Sequence, residues 1–138
     1  MEDKNLELIN NELIALIRRA SLDRKHGGLD RSTYTLLQHL SIYQPLGVKA
    51  LADDFRLDIS TLSRQTRVLE SKGYVVRLPD PQDGRSSNFQ ITELGAEKLS
   101  EAKKVRLERY ELLLADWTAE ERQTFGTLLA RLNRTHLE

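Results

Sequence analysis

Residues 48–92 read VKALADDF, then RLD, then ISTLSRQTRVLESKG, then YVVRLPDPQDGRSSNFQIT. The first piece predicts a short helix with Leu51 and Phe55 turned inward and Ala50 or Ala52 allowing close helix approach. Arg56 and Leu57 pass into a second helix, and Asp58 suits its N-cap and the positive end of its dipole. On that helix Ile59, Leu62, Thr66 and Leu69 recur as the inward side. Ser60, Thr61, Ser63, Arg64 and Arg67 populate its outer, N-terminal surface. Lys72 and Gly73 end it, with Gly73 as the C′ residue. Tyr74–Leu78 is rich in β-branched residues and predicts a strand, and Pro79–Gly84 is loop chemistry. Phe89 and Ile91 alternate with Asn88 and Gln90 in a returning strand, so the long hairpin tip carries Arg85, Ser86 and Ser87. Asp83 either belongs to a solvated loop or pairs with Arg85 and holds the tip's shape.

A short helix, a tight connection, a longer helix and a two-stranded ribbon make a winged helix-turn-helix, which implies a reader of duplex DNA. Such a reader enters the major groove by the N-terminal residues of its second helix. Small hydroxyl side chains there permit close approach and bond phosphates or base edges, and arginine can grip guanine with two bonds. The charge total argues mildly the other way, because 21 basic and 21 acidic side chains cancel. Locally, Arg64, Arg67, Lys72 and Arg77 face only Glu70 between residues 60 and 77, four minus one, or +3. Phosphate binding needs local potential and not a basic total.

Outward from this stretch the chain is helical. Leu6, Ile9, Leu13, Leu16, Ile17 and Ala20 recur at helical spacing over residues 4–24, a stripe that suits a partner or the protein's own core equally. Lys25-His26-Gly27-Gly28 breaks the helix. Asp30 can cap the next, about 31–42, with Leu36, Leu37 and Leu40 as core candidates. Tyr34, His39 and Tyr43 bring polar tips to that apolar helix, as ordinary amphipathic burial or as the lining of a small-molecule pocket. Pro45-Leu46-Gly47 reads as a turn. Thr92 can cap a long charged helix over about 93–114, and Thr118 with Glu121 is a capping box for a last helix over about 119–133. Phe125, Leu128, Leu129 and Leu132 on that helix are expected to join the stripe of the first.

At 138 residues one domain is expected, with 48–92 as the reader and 4–24 and 93–133 as dimerisation helices. The fold class is mainly α with a small β wing. The absence of cysteine excludes disulfides, thiolate metal sites and a cysteine redox sensor, and fits a cytoplasmic location. No apolar run is long enough for a membrane span, and the N-terminus does not read as a signal peptide. His26, His39 and His136 are widely separated, and the chain holds no phosphate-binding glycine loop and no HExxH, so neither an enzyme, a cofactor nor a metal is expected.

Together the motifs resemble the MarR family of winged helix-turn-helix transcriptional regulators over nearly the whole chain. Asp83-Gly84-Arg85, with Thr92 and Gly95 beyond, is similar to the family's D-x-R wing signature leading into L-T-x-x-G. Residues 59–64 resemble the opening of the family's recognition helix, and 69–75 its continuation into the wing. The resemblance implies a homodimer on a pseudo-palindromic operator, commonly a repressor. It implies base reading near Ser60, Thr61, Ser63 and Arg64, and Arg85 near the minor groove. It also implies release by a small aromatic or anionic ligand near Tyr34, His39 and Tyr43. Arg67, Arg77 and Ser86 complete the DNA-facing set. Two positions depart from the family pattern. Arg67 and Val68 stand where an acidic-basic pair is frequent, and Gly84 replaces the wing's second basic residue. The first predicts an unusual operator, the second weaker nonspecific affinity. The competing reading, motivated by the neutral net charge, is a protein-interaction module on the same scaffold.

Overall fold

The computed structural model describes residues 3–22, 25, 26 and 28–135, and only the backbone for residues 20–22, 25 and 26. Asp23, Arg24, Gly27 and His136, and the side chain of His26, lie outside the described residues. The chain forms two compact units, residues 1–105 and 106–138.

The first unit opens with helix α1 (Lys4–Leu22) and a pair of two-residue strands, β1 (Lys25–His26) and β2 (Leu29–Asp30). Helix α2 (Arg31–Tyr43) starts where Asp30 accepts the Thr33 N–H at 2.8 Å, the expected N-cap. Its Leu36, Leu37 and Leu40 are buried and meet Leu51 and Ala52 of α3 (Val48–Phe55), Leu62 and Leu69 of α4 (Ile59–Ser71), and Phe89 in one core. Thr66 is buried among them, and its hydroxyl donates back to the Leu62 carbonyl at 2.8 Å, so burying it leaves no unsatisfied group.

The turn between α3 and α4 is set by Arg56, whose φ of 54° is left-handed. The Leu57 N–H then reaches back to the Ala52 carbonyl at 3.0 Å and closes the end of α3. Two expectations change here. Ile59 does not face inward; it is 55% exposed, because the first turn of α4 stands clear of the core and leaves Leu62 as its first buried residue. Asp58 holds the N-cap position, but its side chain makes no capping hydrogen bond.

Gly73 follows α4 at φ 78°, as its C′ role requires. Strands β4 (Val75–Pro79) and β5 (Ser87–Ile91) pair antiparallel with Arg77 opposite Phe89. The ribbon has a third strand: β3 (Leu46–Gly47) pairs with β5, Leu46 opposite Phe89, where the sequence suggested only a turn. Two residues are too few to display strand alternation, so the sheet's order of β3-β5-β4 appears only in three dimensions. The Gln44 side chain ties this edge down by accepting the Ile91 N–H at 2.9 Å.

Helix α5 (Glu93–Leu113) begins in the first unit and ends in the second, which also holds α6 (Ala119–Arg134). The capping box is present: Thr118 accepts the Glu121 N–H at 3.1 Å and Glu121 accepts the Thr118 N–H at 2.8 Å. Trp117 packs on Phe125 with ring centres 5.2 Å apart, and Arg122 bonds the Leu114 carbonyl at 2.8 Å. No residue of α6 is buried. Leu128, Leu129 and Leu132 on α6 and Leu6, Ile9, Leu13 and Ile17 on α1 are all exposed.

Candidate nucleic-acid interface

The inward set of α4 leaves its opposite side free. Ser60, Arg64 and Arg67 follow one another at i, i+4 and i+7, and all three are exposed. They form one ridge along the helix, on the side away from Leu62, Thr66 and Leu69. Thr61 and Ser63 flank the ridge and are half-buried. The surface is therefore a row of hydroxyls at the N-terminal end followed by two guanidinium groups, held rigid from behind by the core. Neither Arg64 nor Arg67 forms an ion pair with a described carboxylate.

The wing is built by acidic side chains that turn inward onto its backbone. Asp83 accepts the Arg85 N–H at 3.0 Å through one carboxylate oxygen and the Ser86 hydroxyl at 3.3 Å through the other. The Asp83 carbonyl takes the Ser86 N–H, and the Asp80 carboxylate takes the Gln82 N–H at 2.9 Å. Asp83 thus shapes the tip, but by gripping the backbone of Arg85 and not its guanidinium. Arg85 and Ser86 stay exposed.

Arg77 behaves differently from Arg64, Arg67 and Arg85. Its Nε and one terminal nitrogen bond the two carboxylate oxygens of Glu70 at 3.3 and 3.2 Å, and its guanidinium lies 5.2 Å from the centre of the Phe89 ring. Sequence reasoning counted Glu70 only as a charge to be subtracted. The opposite signs on either side of the Gly73 turn were the available signal.

At the base of the wing, Thr92 joins three elements. Its hydroxyl donates to the Gly73 carbonyl at 2.6 Å and accepts the Gly95 N–H at 3.0 Å, while its own N–H bonds the Tyr74 carbonyl at 3.0 Å. The expected cap of α5 is also a tie from α5 to the end of α4.

Of the candidate ligand residues, Tyr34 is buried in the core of the first unit. His39 bonds Asp54 of α3 at 2.8 Å and lies against Tyr43 and Phe55, with ring centres 4.8 and 4.9 Å away. A cavity of about 520 Å³ opens beside them, lined by Asp30, Thr35, Leu36, Phe55, Leu57 and Gln65 among others. Tyr34, His39 and Tyr43 are not on its wall; Phe55 is the ring shared between the His39–Tyr43 pair and the cavity. No cluster of metal-ligating side chains occurs among the described residues, and no described helix is long and apolar enough to cross a membrane.

The model of the MarR family matches residues 29–87, which contain α2, α3, α4 and the wing up to Ser87. Over its whole length the chain is 46% identical, across 143 residues, to YxaD of Bacillus subtilis strain 168, described as an uncharacterised HTH-type transcriptional regulator. The chain belongs to the MarR family. It is a DNA-binding transcriptional regulator and not an enzyme. Among solved structures it is similar to MarR itself, at 27% identity and a TM-score of 0.76 over 89% of this chain and 87% of that one. It also shares the fold of PcaV from Streptomyces coelicolor, solved with its natural ligand. That likeness has 22% identity and a TM-score of 0.69 over 96% of this chain and 97% of the other. The ridge of hydroxyls and arginines on α4 lies inside the residues that the family model matches.

Proposed function

We propose that the protein is a homodimeric repressor that binds a pseudo-palindromic operator and leaves it when a small aromatic or anionic ligand binds. The observation that carries this reading is the exposed Ser60–Arg64–Arg67 ridge backed by a satisfied core. Ser60, Thr61, Ser63, Arg64 and Arg67 are assigned to the major groove, and Arg85 and Ser86 to the minor groove or backbone. The uncovered apolar faces of α1 and α6 support pairing with a second copy, since a helix so exposed gains its stability by covering that face. Two readers related by a two-fold axis would meet successive major grooves, about 34–36 Å apart. Pairing also doubles the modest local charge of each reader.

The effector is assigned to the cavity at Phe55, with His39 against that ring and Tyr43 against His39; Tyr34, buried on the same helix, is the remaining candidate. Leu57 and Gln65 lie on the cavity too, so a ligand there touches the turn before α4 and α4 itself. PcaV, solved with a natural ligand, is a precedent for a bound small molecule on this fold.

Selection of bound duplexes from a random DNA library at low salt tests the reading, repeated with candidate aromatic acids. A two-fold-symmetric sequence should emerge, and one of the acids should release it. Failure to enrich any sequence from a confirmed dimer would favour the protein-interaction module instead.

A further inference from the structure

We infer that Arg77 acts on DNA through Glu70: the pair, seated on Phe89, is a brace that fixes the angle between the wing and the recognition helix. Glu70 stands in the last turn of α4 and Arg77 in the middle of β4, with the left-handed Gly73 between them. Two parallel bonds at 3.2 and 3.3 Å hold the fork of the guanidinium flat against the carboxylate. Phe89, 1% exposed and directly across the ladder from Arg77, is the fixed surface under that fork. The planar fork, which meets both carboxylate oxygens at once, is a property of arginine that lysine lacks. Arg64, Arg67 and Arg85 have no such carboxylate among the described residues. Arg77 is therefore the one whose charge is already answered within the protein.

Leverage gives the brace its consequence. Strand β4 runs two residues beyond Arg77, to Pro79, and the tip projects past that end, so the lever from Arg77 to Arg85 is roughly 10 Å. A 10° change at the base would carry Arg85 by about 1–2 Å, enough to lose a hydrogen bond. An exposed ion pair adds little to global stability, so breaking this one should leave a folded protein with a loosely aimed wing.

The test rests on the DNA-reading function proposed above and has one arm that does not need it. On the selected operator, Glu70→Gln and Arg77→Met should each weaken binding by about 5–50-fold, and the double variant should be no worse than either alone. Arg77→Lys should weaken it as well, although it keeps the charge. The slope of log affinity against log salt should stay at the parent's value, because no phosphate contact has been removed. The brace is overturned if Glu70→Gln binds as tightly as the parent or tighter, as expected from simply removing an anion near phosphate. It is also overturned if Arg77→Met lowers the salt slope by about one. The chain has no cysteine, so Ser71→Cys with Gln82→Cys gives a clean pair of spin-label sites without DNA. Their distance distribution should broaden in Glu70→Gln, and an unchanged distribution would refute the brace. If the parent selects no DNA, the function proposed above falls, and the spin labels alone decide the brace.

Discussion

The carbonyl oxygen of Tyr74 occupies the place where a Cβ on Gly95 would have to go. Gly95 is buried in the first turn of α5, and an added methyl would also crowd the Ile91 side chain at 2.9 Å. A carbonyl in a turn cannot swing aside as a flexible side chain does, and this one already accepts the Thr92 N–H. Gly95→Ala should therefore lower stability by about 1–3 kcal/mol, read as a lower urea midpoint at fixed protein concentration. An unchanged midpoint would mean that α5 can slide away from the wing base.

Thr92 makes the same junction from the other side. Losing its hydroxyl removes an N-cap and strands the Gly73 carbonyl bond at 2.6 Å. Thr92→Val, which keeps the shape, should cost about 1–2 kcal/mol, while Thr92→Ser should stay close to the parent. Thermal melts of the two variants decide it; a parent-like Thr92→Val would show that water serves both partners.

Much of this was legible in the chain because local rules and tertiary fold agree. The caps at Asp30, Thr92 and Thr118, the C′ role of Gly73 and the inward positions Leu62, Thr66 and Leu69 each follow from residue type and spacing. What escaped was made by approach in space. Leu46–Gly47 becomes a strand only because Phe89 and Asn88 lie beside it. Ile59 has the right type and phase for burial, yet nothing packs over the first turn of α4. The Glu70–Arg77 fork needs the turn at Gly73 before the two charges meet. Tyr34, His39 and Tyr43 stay candidates for the ligand; what the sequence did not offer is the cavity walled by Phe55, the ring that His39 touches.

Asp30 gives a dependence on pH with a definite sign. Hydrogen bonds from the Thr33 side chain and backbone hold its carboxyl below the usual range, and Ser32 adds to the effect. A lowered folded-state pKa means stability that is present above the unfolded value, about 3.9, and lost as the pH falls through the folded one. Asp30→Ala should cost about 1 kcal/mol at neutral pH as a lost cap. The gap to the parent should shrink by about pH 2.5 in thermal melts. A gap that widened in acid would contradict the assignment.

The two exposed arginines of the α4 ridge should separate by what they touch. Arg64, nearer the N-terminal end, is assigned to a base edge, and Arg64→Ala should cost about 1–3 kcal/mol of operator binding and relax preference at one base pair. Arg67, one turn further along, is assigned to phosphate. Arg67→Ala should weaken all duplexes alike and lower the salt slope by about one. Titrations at several salt concentrations, on the operator and on scrambled DNA, distinguish them. Interchanged signatures would place Arg67 in the groove and would make it the source of an unusual operator.

Asp83 poses the sharpest electrostatic choice, since it is an anion at a tip assigned to DNA. Counted only as charge, its removal would strengthen binding. Its carboxylate, however, is committed to the Arg85 N–H and the Ser86 hydroxyl, two residues that the proposed interface uses. Asp83→Ala frees the tip to sample many conformations, and ordering it again on DNA costs on the order of 1 kcal/mol per residue. Binding should weaken about tenfold. Asp83→Asn, which keeps an acceptor for the Arg85 N–H and drops the charge, should recover most of the loss. Tighter binding by Asp83→Ala would mean that charge outweighs shape at the tip, and Arg85 would then need no preset backbone to reach the DNA.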